Sequence, residues 1–257
     1  MDYYALHAAA KSSLERSGRP THRITLWYLL IAYGTEAVVE LVTLLWGEAL
    51  DDVLGIAALN ARNHYFLWTT ILTVLFAVFA NLWTVGYENY TLRLSRGQHA
   101  RFGDLAEGLR AFGPFVLLYL IKTILIALWS MLFVIPGILA AYRYRLAEKV
   151  LLDHPDYSPL QALRESRRLT YGHRLELFVL DLTFWLHYLI IFALEYWMTI
   201  AQRLGLAIHG IPMHLACFSG TTAILLIVEM HKLPLVQTTY AHAYDWICAC
   251  NRERTMV

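Results

Sequence analysis

Six ionisable residues, Glu36, Glu40, Lys122, Arg143, Arg145 and Asp181, interrupt long apolar runs of this sequence. A charge in such surroundings is costly unless it is paired or hydrated, so each implies a partner or a polar cavity. Glu36 and Glu40 are four apart and share one helix face. Arg143 and Arg145 are two apart and point about 200° away from each other, so only one of them meets that face. Lys122 and Asp181 lie about 12 Å and about 9 Å from the inner ends of their runs, depths that suit an ion pair. Two chemistries follow. The charges either line a polar cavity or substrate path, or form static pairs that fix helix packing while the remainder snorkel to the interface. A second set, Arg164, Arg167 and Arg168, lies along a short amphipathic stretch and is placed near lipid phosphates.

Other chemistry finds no support. There is no H-E-x-x-H pair, no G-x-S-x-G elbow, no phosphate loop and no dinucleotide fingerprint, so no catalytic residue, metal or cofactor is assigned. Cys217, Cys248 and Cys250 are too few and too irregular for a disulfide framework. A net charge of +1 gives no case for nucleic acid as a partner.

The elements that must position these residues are membrane helices. Of 257 residues, 58% are apolar and only 16% charged, against about a quarter charged in a soluble domain. The apolar residues gather into runs at 24–46, 65–86, 114–135, 175–198 and 212–233, each long enough to cross a core of about 30 Å. Backbone groups in lipid must be satisfied internally, so the runs are read as helices. Residues 138–152 are shorter and carry Arg143, Arg145, Glu148 and Lys149. Charge counting favours a short sixth span, tilted, shielded by neighbours or partly re-entrant, over a helix lying on the surface. With six spans and the termini cytoplasmic, the inner segments hold 15 Lys/Arg and the outer ones two. With five spans the outer side holds 11 against nine, and the bias is lost. The expected fold is therefore all-α: one domain over 1–257, a polytopic bundle of six transmembrane helices with one of them short. Insertion uses the first span as an uncleaved signal-anchor. Pro136-Gly137 is expected as a tight turn on the outer face. Ser158, Pro159 and Gln161 form an N-cap, a first helical position and a capping box, so a cytoplasmic interfacial helix is expected over 158–171.

From about residue 98 to residue 247 the chain resembles a bacterial membrane family known only as domain of unknown function number 975. The resemblance is carried by Phe133-Val134-Ile135-Pro136-Gly137-Ile138 with Tyr142-Arg143-Tyr144, and by Leu151-Leu152-Asp153-His154-Pro155-Asp156 with Ser158, Ala162, Leu163 and Ser166. It continues in Tyr171-Gly172-His173, Leu182-Thr183-Phe184-Trp185, Tyr240, Ala243 and Tyr244. Leu186-His187-Tyr188 departs from the small residues usual there, which puts any family-wide outer feature in doubt. The resemblance implies a cell-membrane location and lends no activity. The expectation is a non-enzymatic accessory or assembly factor that meets membrane lipids and a membrane-protein partner. The alternative is a small transporter or lipid-handling protein with a charged cavity between spans one, three, four and five. The oligomeric state is not readable from the sequence.

Overall fold

The computed structural model describes residues 1–18, 21–35, 37–38, 58–203, 207–208 and 211–256. These are almost wholly helical. The elements are α1 (Tyr3–Ser17), α2 (21–35), α3 (Ala58–Ser95), a 3-10 turn (Phe102–Ala106), α4 (Glu107–Arg110), α5 (Phe112–Leu132) and α6 (Val134–Arg143). They continue with α7 (Ala147–Asp153), α8 (Pro159–Leu169), α9 (Arg174–Thr183), α10 (Trp185–Arg203) and α11 (Met213–Met256). Two residues, Ala207–Ile208, pair antiparallel with Ile211–Pro212. Among the described residues, α3 from Leu67 and α5 are long and apolar enough to cross a membrane, and α9 with α10 makes a third candidate bent by 61°. Glu36, Glu40 and most of the second half of the expected first span lie outside the described residues.

The helices divide lengthwise into two layers. The first half of α3 exposes Leu67, Trp68, Ile71, Val74 and Leu75, whereas its second half buries Leu82, Val85, Tyr87 and Tyr90. The end of α5 and the start of α6 are exposed and apolar, while α7 is buried on every side. One layer thus shows apolar surface outward and the other owns a packed core. That core joins Leu82, Leu118, Ala147, Leu163, Leu177 and Ile247 from six helices.

Four boundaries differ from the sequence reading. The 138–152 segment is not one short span: it is broken at Tyr144–Leu146 into α6 and α7. The reversal comes at Phe133, whose backbone is extended (φ −161°, ψ 155°), rather than at Pro136-Gly137. Pro136 falls in the first turn of α6, where its missing N–H would have had no partner anyway. Gly137 is needed for a close approach, because a Cβ there would overlap Ser130 of α5. The 175–198 run bends at Phe184, which turns inward against Leu6, Leu180, Val236 and Tyr240. The last run does not stop at 233. It continues through Pro234 to Met256 and buries Val236, Tyr240, Ala243, Tyr244 and Ile247 at helical spacing.

The N-terminal residues before the first expected span form α1, capped by Asp2, whose carboxylate accepts from Tyr4 N–H at 3.0 Å and Ala5 N–H at 3.1 Å. Leu6, Ala10 and Ser13 make its buried face. It packs on α11, where Ser13 Oγ and His242 Nε2 are 3.1 Å apart, and reaches α9, where His7 Nε2 and Thr183 Oγ1 are 3.0 Å apart. The expected helix at 158–171 is present as α8, and its capping box is formed: Gln161 N–H donates to Ser158 Oγ at 3.3 Å and Ser158 N–H donates to Gln161 Oε1 at 2.7 Å.

Two tests follow. The 3-10 turn and α4 cross α3 so closely that a Cβ on Gly86 would overlap the Leu105 carbonyl, and one on Gly108 the Leu82 carbonyl. Gly86→Ala and Gly108→Ala should each lower the melting temperature by more than about 4 °C, while Gly103→Ala, with open space around Gly103, should not; thermal melts of the purified protein read this. Burial also lowers His7 and His242 below the ordinary value of 6.5. The folded chain then binds fewer protons than the unfolded one, so this stability is intact above about 6.5 and is lost as pH falls below it. Hydrogen exchange should show weaker protection of α1 at pH 5 than at pH 7.5, and the difference should shrink in a His7→Gln, His242→Gln variant.

Candidate functional site

The site is built around the helix break at Tyr144–Leu146. A break strands backbone groups that must find partners in a buried setting. Here α8 supplies them. Ser166 Oγ donates to the Arg143 carbonyl at 3.1 Å and accepts from Leu146 N–H at 3.2 Å. Thr170 Oγ1 donates to the Ser166 carbonyl at 2.9 Å and lies 3.3 Å from the Arg143 carbonyl. A hydroxyl is both donor and acceptor, so one serine can seal both sides of the gap. Ser166 and Thr170 are fully buried. The apolar face of α8, with Ala162, Leu163 and Leu169, is thereby spent on α5 and α7. Arg164, Arg167 and Arg168 remain exposed, and Arg168 pairs with Glu165 at 2.6 Å.

The break turns four charged residues toward different neighbours. The Arg143 guanidinium sits over the Trp129 ring of α5 at 5.9 Å. Arg145 reaches Asp181 of α9 at 2.6 Å. Glu148 pairs with Lys122 of α5, and Lys149 pairs with Glu88 of α3 at 3.1 Å. The Lys122–Asp181 pair expected from depth is therefore not formed. Depth along each helix was matched, but the break brings Glu148 to Lys122 first and leaves Asp181 to Arg145. Tyr142 and Tyr240 also donate hydroxyls to Asp181, and the Arg145 guanidinium lies 4.5 Å from the Tyr240 ring centre. Asp181 thus ties α6, α9 and α11 together. Glu148 and Lys149 are 6% and 4% exposed, a burial at which removal of either partner leaves an uncompensated charge.

These residues border a cleft of ≈ 390 Å³, lined among others by Asn81, Thr84, Glu88, Lys122, Arg145 and Glu148. It lies between α3, α5 and the α6–α7 break. The sequence reading placed such a cavity between spans one, three, four and five, and did not include Asn81, Thr84 or Glu88 of the second run. Glu88 was passed over because it follows the apolar run by two residues and reads as solvated. Its Oε2 atom is buried with no hydrogen-bond partner.

A second network also escaped the sequence reading. Arg96 grips Asp153 through two hydrogen bonds of 2.7 and 2.8 Å and reaches Asp245 at 2.7 Å. Tyr244 adds a hydroxyl to Asp153 at 3.0 Å. Hydrogen bonding to Asp153 raises the Arg96 guanidinium above its ordinary value despite partial burial. The ends of α3 and α7 are thereby bound to α11. Three residues spread over about 150 positions of sequence offer no local signal; only Asp153, in the Asp-His-Pro-Asp turn, was singled out. Nearby, burial pushes the Cys248 thiol up to about 11, which keeps it protonated at neutral pH. No group of three or more His, Cys, Asp or Glu suited to a metal ion occurs among the described residues.

The buried pair makes a sharp prediction. Lys122→Met should destabilise the protein by about 3–5 kcal/mol, because Glu148 is left buried and unpaired. Adding Glu148→Leu should restore most of that loss. Denaturation of the single and double variants in the same detergent measures the coupling.

Comparison with known proteins adds one finding. No curated protein and no solved structure matches the chain. Residues 131–250, from the tip of the α5–α6 hairpin to the end of the α11 core, match the family described as "Protein of unknown function (DUF975)".

Proposed function

We propose that this is a multi-pass membrane protein that binds a lipid headgroup in the cleft between α3, α5 and the α6–α7 break, without covalent chemistry. The observation that carries the reading is the cleft itself. Its ≈ 390 Å³ are lined by carboxylates from Glu88 and Glu148 and by cations from Lys122 and Arg145. Buried polar atoms are nearly always hydrogen-bonded, and Glu88 Oε2 is not. A zwitterionic headgroup offers that oxygen an ammonium donor and offers the cations a phosphate. The volume lies in the range usual for small-molecule sites, about 300–1,000 Å³. In this reading the chain is a multi-pass protein of the cell membrane with both termini cytoplasmic, as the distribution of Lys and Arg favours.

A second reading is an accessory factor that acts only through helix contacts. It is favoured by pairing: Lys122, Arg145, Lys149 and Arg96 each have a carboxylate partner.

Asn81→Leu separates the two. It fills the cleft and removes no ion pair. In nanodiscs containing phosphatidylethanolamine, mass spectrometry of the purified wild-type protein should find this lipid retained. Asn81→Leu should reduce retention at least tenfold with the melting temperature unchanged. Equal retention in Asn81→Leu and Glu88→Gln would remove the headgroup reading and leave the accessory factor.

A further inference from the structure

α6 is ten residues long, about 15 Å by helical rise. At one end is the hairpin tip, where Met131, Phe133, Val134 and Ile135 are all at least 70% exposed. At the other end is Arg143, whose carbonyl is held by Ser166. Arg167, next to Ser166, and Arg174, within Coulombic reach of Arg143 and Arg167, therefore stand about one α6 length from the tip. A hydrocarbon core is about 30 Å thick. Were the tip to emerge on the far side, exposed Arg164, Arg167 and Arg168 would sit near mid-core, where guanidinium is strongly disfavoured. With these arginines at headgroup level, the tip ends near the midplane. Positive-inside counting is indifferent to the choice, because the hairpin returns to its starting side either way.

The arginines themselves call for an anion. Arg174 lies within Coulombic reach of both Arg143 and Arg167. The Nε atoms of Arg143 and Arg174 are buried and lack hydrogen-bond partners. Among the described residues no carboxylate pairs with any of the three, and the one carboxylate on the outer face of α8, Glu165, is taken by Arg168. Trp129 holds Arg143 by its ring face. Planar guanidiniums converging without a counter-charge suit the several oxygens of a phosphate.

We infer that Arg143, Arg167 and Arg174 form a phosphate site at the membrane surface, held there by an α5–α6 hairpin that enters only the near leaflet. The inference rests on the membrane reading of the chain and not on the cleft, so Asn81→Leu leaves it untouched. The phosphate belongs either to an anionic lipid or to a free phosphoester, and the arms of the test tell them apart.

The full-length protein is purified in nanodiscs of phosphatidylglycerol and phosphatidylcholine, and retained lipid is counted by mass spectrometry. The Arg167→Gln, Arg174→Gln variant changes residues at least partly exposed to solvent and should fold. It should lose phosphatidylglycerol at least tenfold relative to wild type while Arg164→Gln does not. Retention that resists millimolar inorganic phosphate assigns the site to lipid. Displacement by inorganic phosphate, together with its binding to lipid-free protein in detergent, assigns it to a free phosphoester. Unchanged retention, with no inorganic phosphate bound by wild type, overturns the site. The hairpin has its own readout. With Cys217, Cys248 and Cys250 changed to Ser, an Ile135→Cys variant in sealed vesicles should resist a membrane-impermeant maleimide from both faces. Labelling from either face overturns the one-leaflet insertion.

Discussion

Between α6 and α7 a helix stops for three residues inside a packed interior, and the hydroxyl of Ser166 bridges the gap. It donates to Arg143 and accepts from Leu146. Without such a partner, each stranded group would cost on the order of 1–3 kcal/mol, and a continuous helix would be preferred. The continuous helix would point Arg145, Glu148 and Lys149 along a fixed 100° progression. The break frees them from it. Arg145 turns to α9, Glu148 to α5 and Lys149 to α3. The charged layer of the protein is the consequence of one satisfied interruption.

That layer sits where the two halves of the molecule meet. On one side of it the helices display Leu, Ile, Val and Trp outward; on the other they bury the same residue types in a shared core. Close backbone crossings at Gly86 and Gly108 serve the core side, as small residues do wherever helices approach closely. Long helices cross the boundary without stopping: α3 runs from exposed Trp68 to buried Tyr90, and α11 continues past Pro234. Lys122, Arg145 and Asp181, which look stranded in apolar runs, are therefore gathered at a junction, where pairing and partial hydration are both available. Buried pairs of this kind contribute little net stability but penalise every arrangement that separates them. Specificity of helix packing is what they supply, along with a cleft whose walls carry both signs.

The N- and C-terminal elements close the structure from outside. α1 lies along α11, and the Arg96–Asp153–Asp245 cluster binds the ends of α3 and α7 to the same helix. Residues 131–250 carry the family signature, yet the cleft also draws Asn81, Glu88 and Lys122 from outside it. The family segment supplies the break and α8, and the preceding helices supply the opposite wall.

Much was legible in the residues alone. Apolar run lengths determine helices of membrane character, because the number of residues needed to cross a bilayer is set by helical rise. The capping box at Ser158-Gln161 determines where α8 begins, because its hydrogen bonds are local. The positive-inside balance favours a return of the segment after Pro136 to its starting side. Other features depend on distant chain and were decided only in three dimensions. Whether 138–152 is one helix or two depends on Ser166, twenty residues away. Lys122 was given the wrong carboxylate because depth along a helix says nothing about which face a neighbour presents. α1 and the far half of α11 stabilise each other, so neither shows its role when read separately. Sequence determines which groups must find partners; the tertiary structure decides which partners they find, because ion pairs and hydrogen bonds act over a few ångströms of space and not along the chain.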